Sequence, residues 1–448
     1  MFTRFFKFFG KDLDEQEIQK FSLLALAFFF TVGGYWLLKT LKDGFFFNFV
    51  GGNYQPKAKM LSLVVISILV PIYSKLVDHF HRHQLFYIIG SFYAAFFGLV
   101  SIFLLFSFDT PGTFYYKFMK IIAWAAYVLI ESFGSIMVAL FWSFVASTTD
   151  ASSAKKGYFL IVAGAQLGAI VGPFLAWNAN FFGLSILFFI ATCCIISVIL
   201  VIKHFKKTMP KEQLIGGKYD KRPQEKTGFW EGLKLIFTRP YLFGVFLLVA
   251  FFEVVTTIVD YQMKMQAQAL PQYATKEGLT SFMGMFGMST NLLAFLMALF
   301  GTGYLIKKFG VRVSLLTFPI SIGIAISILF GFIKLDFLSA QNMLWVTFGV
   351  VIVAKGLSYA LNNPAKEVMY IPTSRDAKFK AKGWIDMFGA RGSKALGSGF
   401  NEFLKRTPQV LLYMGTILSL GLIGIWIIVA YFVGNKFHRL VKEGKIVK

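Results

Sequence analysis

Phe182-Gly-Leu-Ser-Ile-Leu-Phe-Phe-Ile-Ala-Thr-Cys-Cys-Ile-Ile-Ser-Val-Ile-Leu-Val-Ile202 runs from end to end without a charged side chain. As a helix it rises about 1.5 Å per residue, so about 20 such residues cover the roughly 30 Å hydrocarbon core of a bilayer. Its flanks keep the same character. Apolar windows precede it at 21–41, 60–77, 85–106, 118–144 and 158–177. Beyond a polar stretch at 204–239, others follow at 242–261, 281–306, 313–333, 343–361, 383–403 and 410–433. The expected fold is all-α and polytopic, with about twelve transmembrane helices. Cys193 and Cys194 stand side by side inside an apolar run, with no spaced Cys/His set around them, so neither a disulfide nor a zinc site is expected.

Composition agrees: 56% hydrophobic against 15% charged residues in a 448-residue chain leaves no room for a separate soluble domain. The 45 Lys+Arg against 22 Asp+Glu give a formal net charge of +23. Basic cytoplasmic loops account for most of that excess, and an anionic substrate is the other source considered. The basic residues gather on one side of the alternating loops, at 4–11, 75–82, 155–156, 203–239, 307–312, 375–380 and 436–445. Lys57, Lys117, Lys264, Lys334, Lys405 and Arg406 are read as scattered basics of the opposite loops. Both termini are therefore expected in the cytoplasm, in a bacterial inner membrane or its equivalent. The basic, Phe-rich segment 1–11 reads as an interfacial amphipathic stretch rather than a cleaved signal.

Two loops recur at matching positions. Asp150-Ala-Ser-Ser-Ala-Lys-Lys-Gly157-Tyr158 resembles Asp376-Ala-Lys-Phe-Lys-Ala-Lys-Gly383-Trp384, and Ser74-Lys-Leu-Val-Asp-His-Phe-His-Arg82 parallels Gly303-Tyr-Leu-Ile-Lys-Lys-Phe-Gly-Val-Arg312. The last of these resembles the loop signature of the major facilitator superfamily, which implies two six-helix halves in parallel repeat. The expected division is residues 1–203, a cytoplasmic linker at 204–239, and residues 240–448.

Ionisable groups inside spans are costly and mark function by default, although those near span ends can snorkel. Lys39, Lys42 and Asp43 close the first span; Lys39 and Asp43 are spaced to pair, while Lys42 is read as facing the pathway. Glu131 lies well inside the fourth span with Ser135 and Trp142 on its face; a structural carboxylate bridging two helices is its other reading. Glu253 and Asp260, with Thr256 and Thr257 between them, make a polar stripe on the seventh span, read as lining an aqueous route. Lys355, Tyr359, Asn362 and Lys366 recur at helical spacing on the tenth, where Pro364 is expected to break the helix beside Asn363. The glycines Gly164, Gly168 and Gly172 read as close helix packing. No Walker-type GxxxxGK[ST] and no strand-borne GxGxxG is present, so ATP hydrolysis has no visible seat. His79, His81 and His83 lack further ligands, and no metal or cofactor is expected.

Four local matches resemble the bacterial and plastid ATP/ADP translocases, the TLC or nucleotide transporter family. They are Leu38-Lys-Thr-Leu-Lys42-Asp43, Glu131-Ser-Phe-Gly-Ser-Ile-Met-Val-Ala-Leu-Phe-Trp142, the pair Glu253-Val254, and Pro364-Ala-Lys366-Glu367-Val-Met-Tyr370-Ile-Pro372 followed by Asp376, Lys378, Lys380, Lys382 and Ile385-Asp386. Lys39 stands where that family has an Asp. The resemblance implies exchange or uptake of nucleotides with Lys42, Glu131, Glu253 and Lys366 required; the expected protein is a secondary transporter, not an enzyme, exchanging ATP for ADP by alternating access. The candidate substrate-binding set adds Lys39, Lys355, Asn363 and Asp260. The expected partners are nucleotides and the lipid bilayer, with no nucleic acid, and the expected state is a monomer. Proton-coupled nucleotide import and carriage of another organic anion are the competing transport readings.

Overall fold

The computed structural model describes residues 14–106, 112–149, 151–209, 229–300 and 302–447. The N-terminal segment 1–11, most of the linker (210–228) and Asp150 lie outside them. Every regular element among the described residues is helical. The order is α1 (Glu15–Phe49), α2 (Gln55–His79), α3 (Arg82–Leu105), α4 (Phe114–Thr148), α5 (Ala151–Trp177), α6 (Ala179–Thr208), α7 (Phe229–Thr238), α8 (Pro240–Ala269), α9 (Lys276–Phe300), α10 (Thr302–Leu335), α11 (Ala340–Leu357), α12 (Asn363–Met369), α13 (Arg375–Trp384), α14 (Ala390–Leu404) and α15 (Pro408–Lys442). Single π turns join α11 to α12 (Ser358–Asn362) and α13 to α14 (Ile385–Gly389).

Among the described residues, eleven helices are long and apolar enough to cross a membrane. The expected span at 383–403 is helical but not among them: the π turn Ile385–Gly389 divides it, and α14 beyond is 15 residues long and carries Arg391, Lys394 and Glu402. It is held instead by close packing on α8, where Gly397 faces Thr257 and Asn401 donates to the Thr257 carbonyl at 3.2 Å. The helix ends are chosen locally. Asp14 and Glu17 form a reciprocal capping box at the start of α1, Thr113 caps α4, and Pro240 and Pro408 occupy the first turns of α8 and α15, where a missing N–H costs nothing.

By contacts the chain divides into two compact units. The first comprises residues 1–51, 64–223 and 272–288; the second, residues 52–63, 224–271 and 289–448. In the first, α1 packs against α4, α5 and α6, and α3 against α4 and α6. In the second, α8 packs against α11, α14 and α15, α10 against α11 and α15, and the short α7 against α13. Lys380 of α13 meets Glu231 of α7 at 2.7 Å. The tail returns to the segment after α12, where Val447 N–H donates to the Pro372 carbonyl and Ser374 N–H to the Val447 carbonyl.

Candidate functional site

In the first unit the site starts from the glycine row on α5. At Gly164, Gly168 and Gly172 an added Cβ would run into the carbonyl oxygens of Ala25, Phe29 and Gly33 on α1, so the two backbones touch, as the four-residue spacing predicts. That contact fixes the register of α1. A turn and a half beyond Leu37, α1 presents Lys42, whose side chain is 4% exposed. Its ammonium donates to Glu131 Oε1 on α4 and lies 4.4 Å from the Tyr127 ring centroid. A buried ammonium needs such a partner, and the face of an aromatic ring adds cation–π attraction. Glu131 is the more open member, 26% exposed, and Ser135 donates to its backbone carbonyl at 3.1 Å. Trp142, on the same helix, packs edge-on against Phe28 and tilted against Tyr158. Lys39 lies 3.9 Å over the Trp36 ring and 5.7 Å from that of Tyr35.

The second unit holds the other sequence candidates. α8 runs to Ala269, beyond the expected end at 261, so Lys264 is no loop residue: it is buried inside the helix one turn past Asp260. Asp260 Oδ2 accepts from Lys264 at 2.8 Å, and Oδ1 from Lys355 of α11 at 2.6 Å. Lys59, at the start of α2, stands 3.8 Å from Oδ2. Between Glu253 and Asp260 the stripe carries two threonines. Thr256 and Thr257 are buried, Thr256 bonds to the Phe252 carbonyl of its own helix, and Thr257 lies under Gly397. Glu253, two turns from Asp260, faces Lys394 of α14 at 3.5 Å.

Pro364 does not break the chain. It has no N–H to give and its ring crowds the carbonyl four residues back, and the π turn Ser358–Asn362 relieves both; the Asn363 N–H reaches the Ser358 carbonyl, and α12 continues with Pro364 in its first turn. The extra residue turns everything after it by about 100° relative to an unbroken α-helix. Lys355 and Lys366, read as sharing a face, therefore meet different partners: Lys355 takes Asp260, while Lys366 takes Asp386 at 2.8 Å, in the second π turn. Beside that pair Lys382 meets Glu367 at 2.6 Å. Asn363 is half-buried where the π turn passes into α12.

The structure thus brings most of the candidates into ion pairs: Lys42 with Glu131, Asp260 with Lys264 and Lys355, Glu253 with Lys394, and Lys366 with Asp386. Lys264 carried a signal, since it stands four residues from Asp260. Asp386 was visible in the quoted motif. Lys394 and Lys59 lie far along the chain from Glu253 and Asp260 and had no local signal. Among the described residues no group of three His, Cys, Asp or Glu is placed to hold a metal.

Bundled helices long and apolar enough to cross a membrane, with ion pairs held among them, define a polytopic membrane protein, and solved structures share the architecture. A bacterial homologue of the iron transporter ferroportin, inward-facing, superposes with a TM-score of 0.70 at 10% identity, covering 93% of this chain and 99% of that one. A point mutant of the nucleoside transporter NupG gives 0.64 at 14% identity, covering 94% and 99%. These likenesses show a major-facilitator-like fold. The family model for the TLC ATP/ADP transporter matches residues 2–437, and the chain belongs to that family. It is similar to ADP,ATP carrier protein 1 of Rickettsia typhi, 25% identical over 97% of this chain and 96% of the relative, and to ADP,ATP carrier protein 1 of Chlamydia muridarum, 26% identical over 96% and 90%.

Proposed function

We propose that this chain is a nucleotide exchanger that moves ATP against ADP by alternating access between the halves 1–203 and 240–448, acting as a carrier rather than an enzyme. The observation that carries the reading is the buried Lys42–Glu131 pair, in a chain matched to the ATP/ADP transporter family along nearly its whole length. A lysine held by a carboxylate is a charge already desolvated and already compensated. A phosphate group that replaces the carboxylate as partner meets an ammonium in a medium of lowered dielectric, where each charge-assisted bond is strong. Lys366, held by Asp386, offers the same exchange of partners. The base has aromatic faces to use, Trp36 and Tyr35 beside Lys39 among them. In this reading Lys42 and Lys366 answer the phosphates, Glu131 and Glu253 restore neutrality when the site is empty, and Lys39, Lys355, Asn363 and Asp260 complete the set. The protein works as a monomer with both termini in the cytoplasm, in a bacterial inner membrane or its equivalent.

The test is transport in proteoliposomes with controlled internal nucleotide and pH, against a panel of labelled nucleotides. Uptake that requires internal nucleotide and no pH gradient supports exchange. Accumulation into nucleotide-free vesicles driven by a proton gradient identifies proton-coupled import instead, and uptake of a different organic anion alone displaces the nucleotide.

A further inference from the structure

Three ammonium groups converge on one carboxylate in the second unit. Asp260 has 6% of its side chain exposed and Lys264 5%; Lys59 and Lys355 are more open, at 18% and 27%. Three positive side chains and one negative give these four a net charge of +2. Withdrawing an ammonium from water costs free energy that its partners must offset, and a carboxylate shared by three ammonium groups gives each of them only part of its charge. The oxygens are already divided, Oδ1 to Lys355 and Oδ2 between Lys264 at 2.8 Å and Lys59 at 3.8 Å. The lysines come from three helices, so local sequence does not gather them: Lys264 shares α8 with Asp260, Lys355 comes from α11 and Lys59 from the start of α2. A phosphate group suits such a set better than a carboxylate does. It carries more charge and more acceptor oxygens, and compact ammonium groups on flexible stems can close round a tetrahedral anion.

We propose that Lys59, Lys264 and Lys355 form a binding site for a phosphate group, and that Asp260 occupies it as an internal counter-ion while no anion is bound. The nearest other carboxylate on α8, Glu253, is directed to Lys394 and belongs to a separate pair. The anion is either free orthophosphate or the phosphate end of a nucleotide; the chemistry at the lysines is the same. The inference deepens the exchange reading, and rests on it only where the phosphate is taken to belong to the transported nucleotide. Occupancy would then release Asp260, and emptying the site would return it.

The experiment is ligand binding to the full-length protein in detergent, read by calorimetry and thermal unfolding, with orthophosphate, ATP, ADP and phosphate-free adenosine titrated separately at constant ionic strength set with chloride. Removing the internal competitor in Asp260→Asn is expected to tighten orthophosphate binding by about tenfold. Lys59→Gln, which touches the most distant of the three lysines, is expected to weaken it by about the same factor in the otherwise unaltered chain. Tightening for orthophosphate and nucleotides alike assigns the site to any phosphate group; tightening for ATP and ADP alone assigns it to the nucleotide. No change for any phosphate-bearing ligand in Asp260→Asn, or a gain matched by chloride, overturns the proposal. Should Asp260→Asn not fold, unaltered orthophosphate affinity in Lys59→Gln overturns it as well. Because the readout is binding, it supports or overturns the phosphate site whichever solute proves to be transported.

Discussion

Gly172→Ala tests whether the contact between α5 and α1 positions Lys42. An alanine Cβ there lies 3.0 Å from the Leu37 nitrogen and closer still to the Gly33 carbonyl oxygen. Neither is the end of a flexible side chain, so the helices themselves must part, by about 1 Å to recover an ordinary contact. Overpacking of this kind costs about 1–3 kcal/mol, and the better helix propensity of Ala offsets about 1 kcal/mol, leaving a net loss of about 0–2 kcal/mol. Transport is the more sensitive readout. Lys42 follows Leu37 by a turn and a half on α1, and misplacing a group by about 1 Å where geometry matters can reduce a rate on the order of 10²-fold. Gly421→Ala is the control, since nothing lies within 4 Å of an added Cβ in the middle of α15; it is expected to be neutral or to stabilise by up to about 1 kcal/mol. Thermal unfolding in detergent and nucleotide exchange in proteoliposomes are measured for both. If Gly172→Ala unfolds at the same temperature as Gly421→Ala and exchanges at the same rate, the backbone contact does not set the position of Lys42.

Lys42→Ala and Lys366→Ala should each lower exchange by about 10- to 150-fold while the protein remains inserted and folded, the scale of one charged hydrogen bond to phosphate. Near-normal transport in both would place the phosphates elsewhere. Lys42→Arg should fail to restore activity, because a planar fork does not replace a compact ammonium beneath Tyr127. Glu131→Gln should impair nucleotide exchange directly with no pH gradient present; proton-driven accumulation in nucleotide-free vesicles that this substitution abolishes would identify Glu131 as a proton carrier instead. A cysteine placed within 210–228, or after Lys436, should react with an impermeant reagent only from the cytoplasmic side, and labelling in intact cells would reverse the orientation.

Spans were legible because an apolar run of about 20 residues has few other readings, and the glycine row because its four-residue period points to one helical face. Helix ends were less so. The seventh span reads as stopping at 261 since Gln262 and Lys264 are polar, yet the helix continues because Asp260 compensates Lys264 from within it. Lys39 and Asp43 have the spacing of a pair, and Lys39 also lies over the Trp36 ring, an aromatic contact that spacing alone does not single out. Pro364 announces a disturbance without its form: a break, a kink and a π turn all satisfy a missing N–H, and the surrounding helices choose among them. Glu253 with Lys394, and Asp260 with Lys355, are tertiary pairs whose members are brought together by the packing of α8 on α14 and α11.

The π turn Ser358–Asn362 also changes how chain length should be interpreted at this point. A π turn is an α-helix holding one surplus residue. A one-residue deletion between Ser358 and Asn362 would therefore leave a well-formed helix with no loop to absorb the change, and would swing Lys366 away from Asp386 while Lys355 kept Asp260. Single-residue gaps here are thus not neutral trimming. They amount to re-aiming a lysine, and a homologue that lacked the residue would have to pair its own Lys366 counterpart with a carboxylate from another direction.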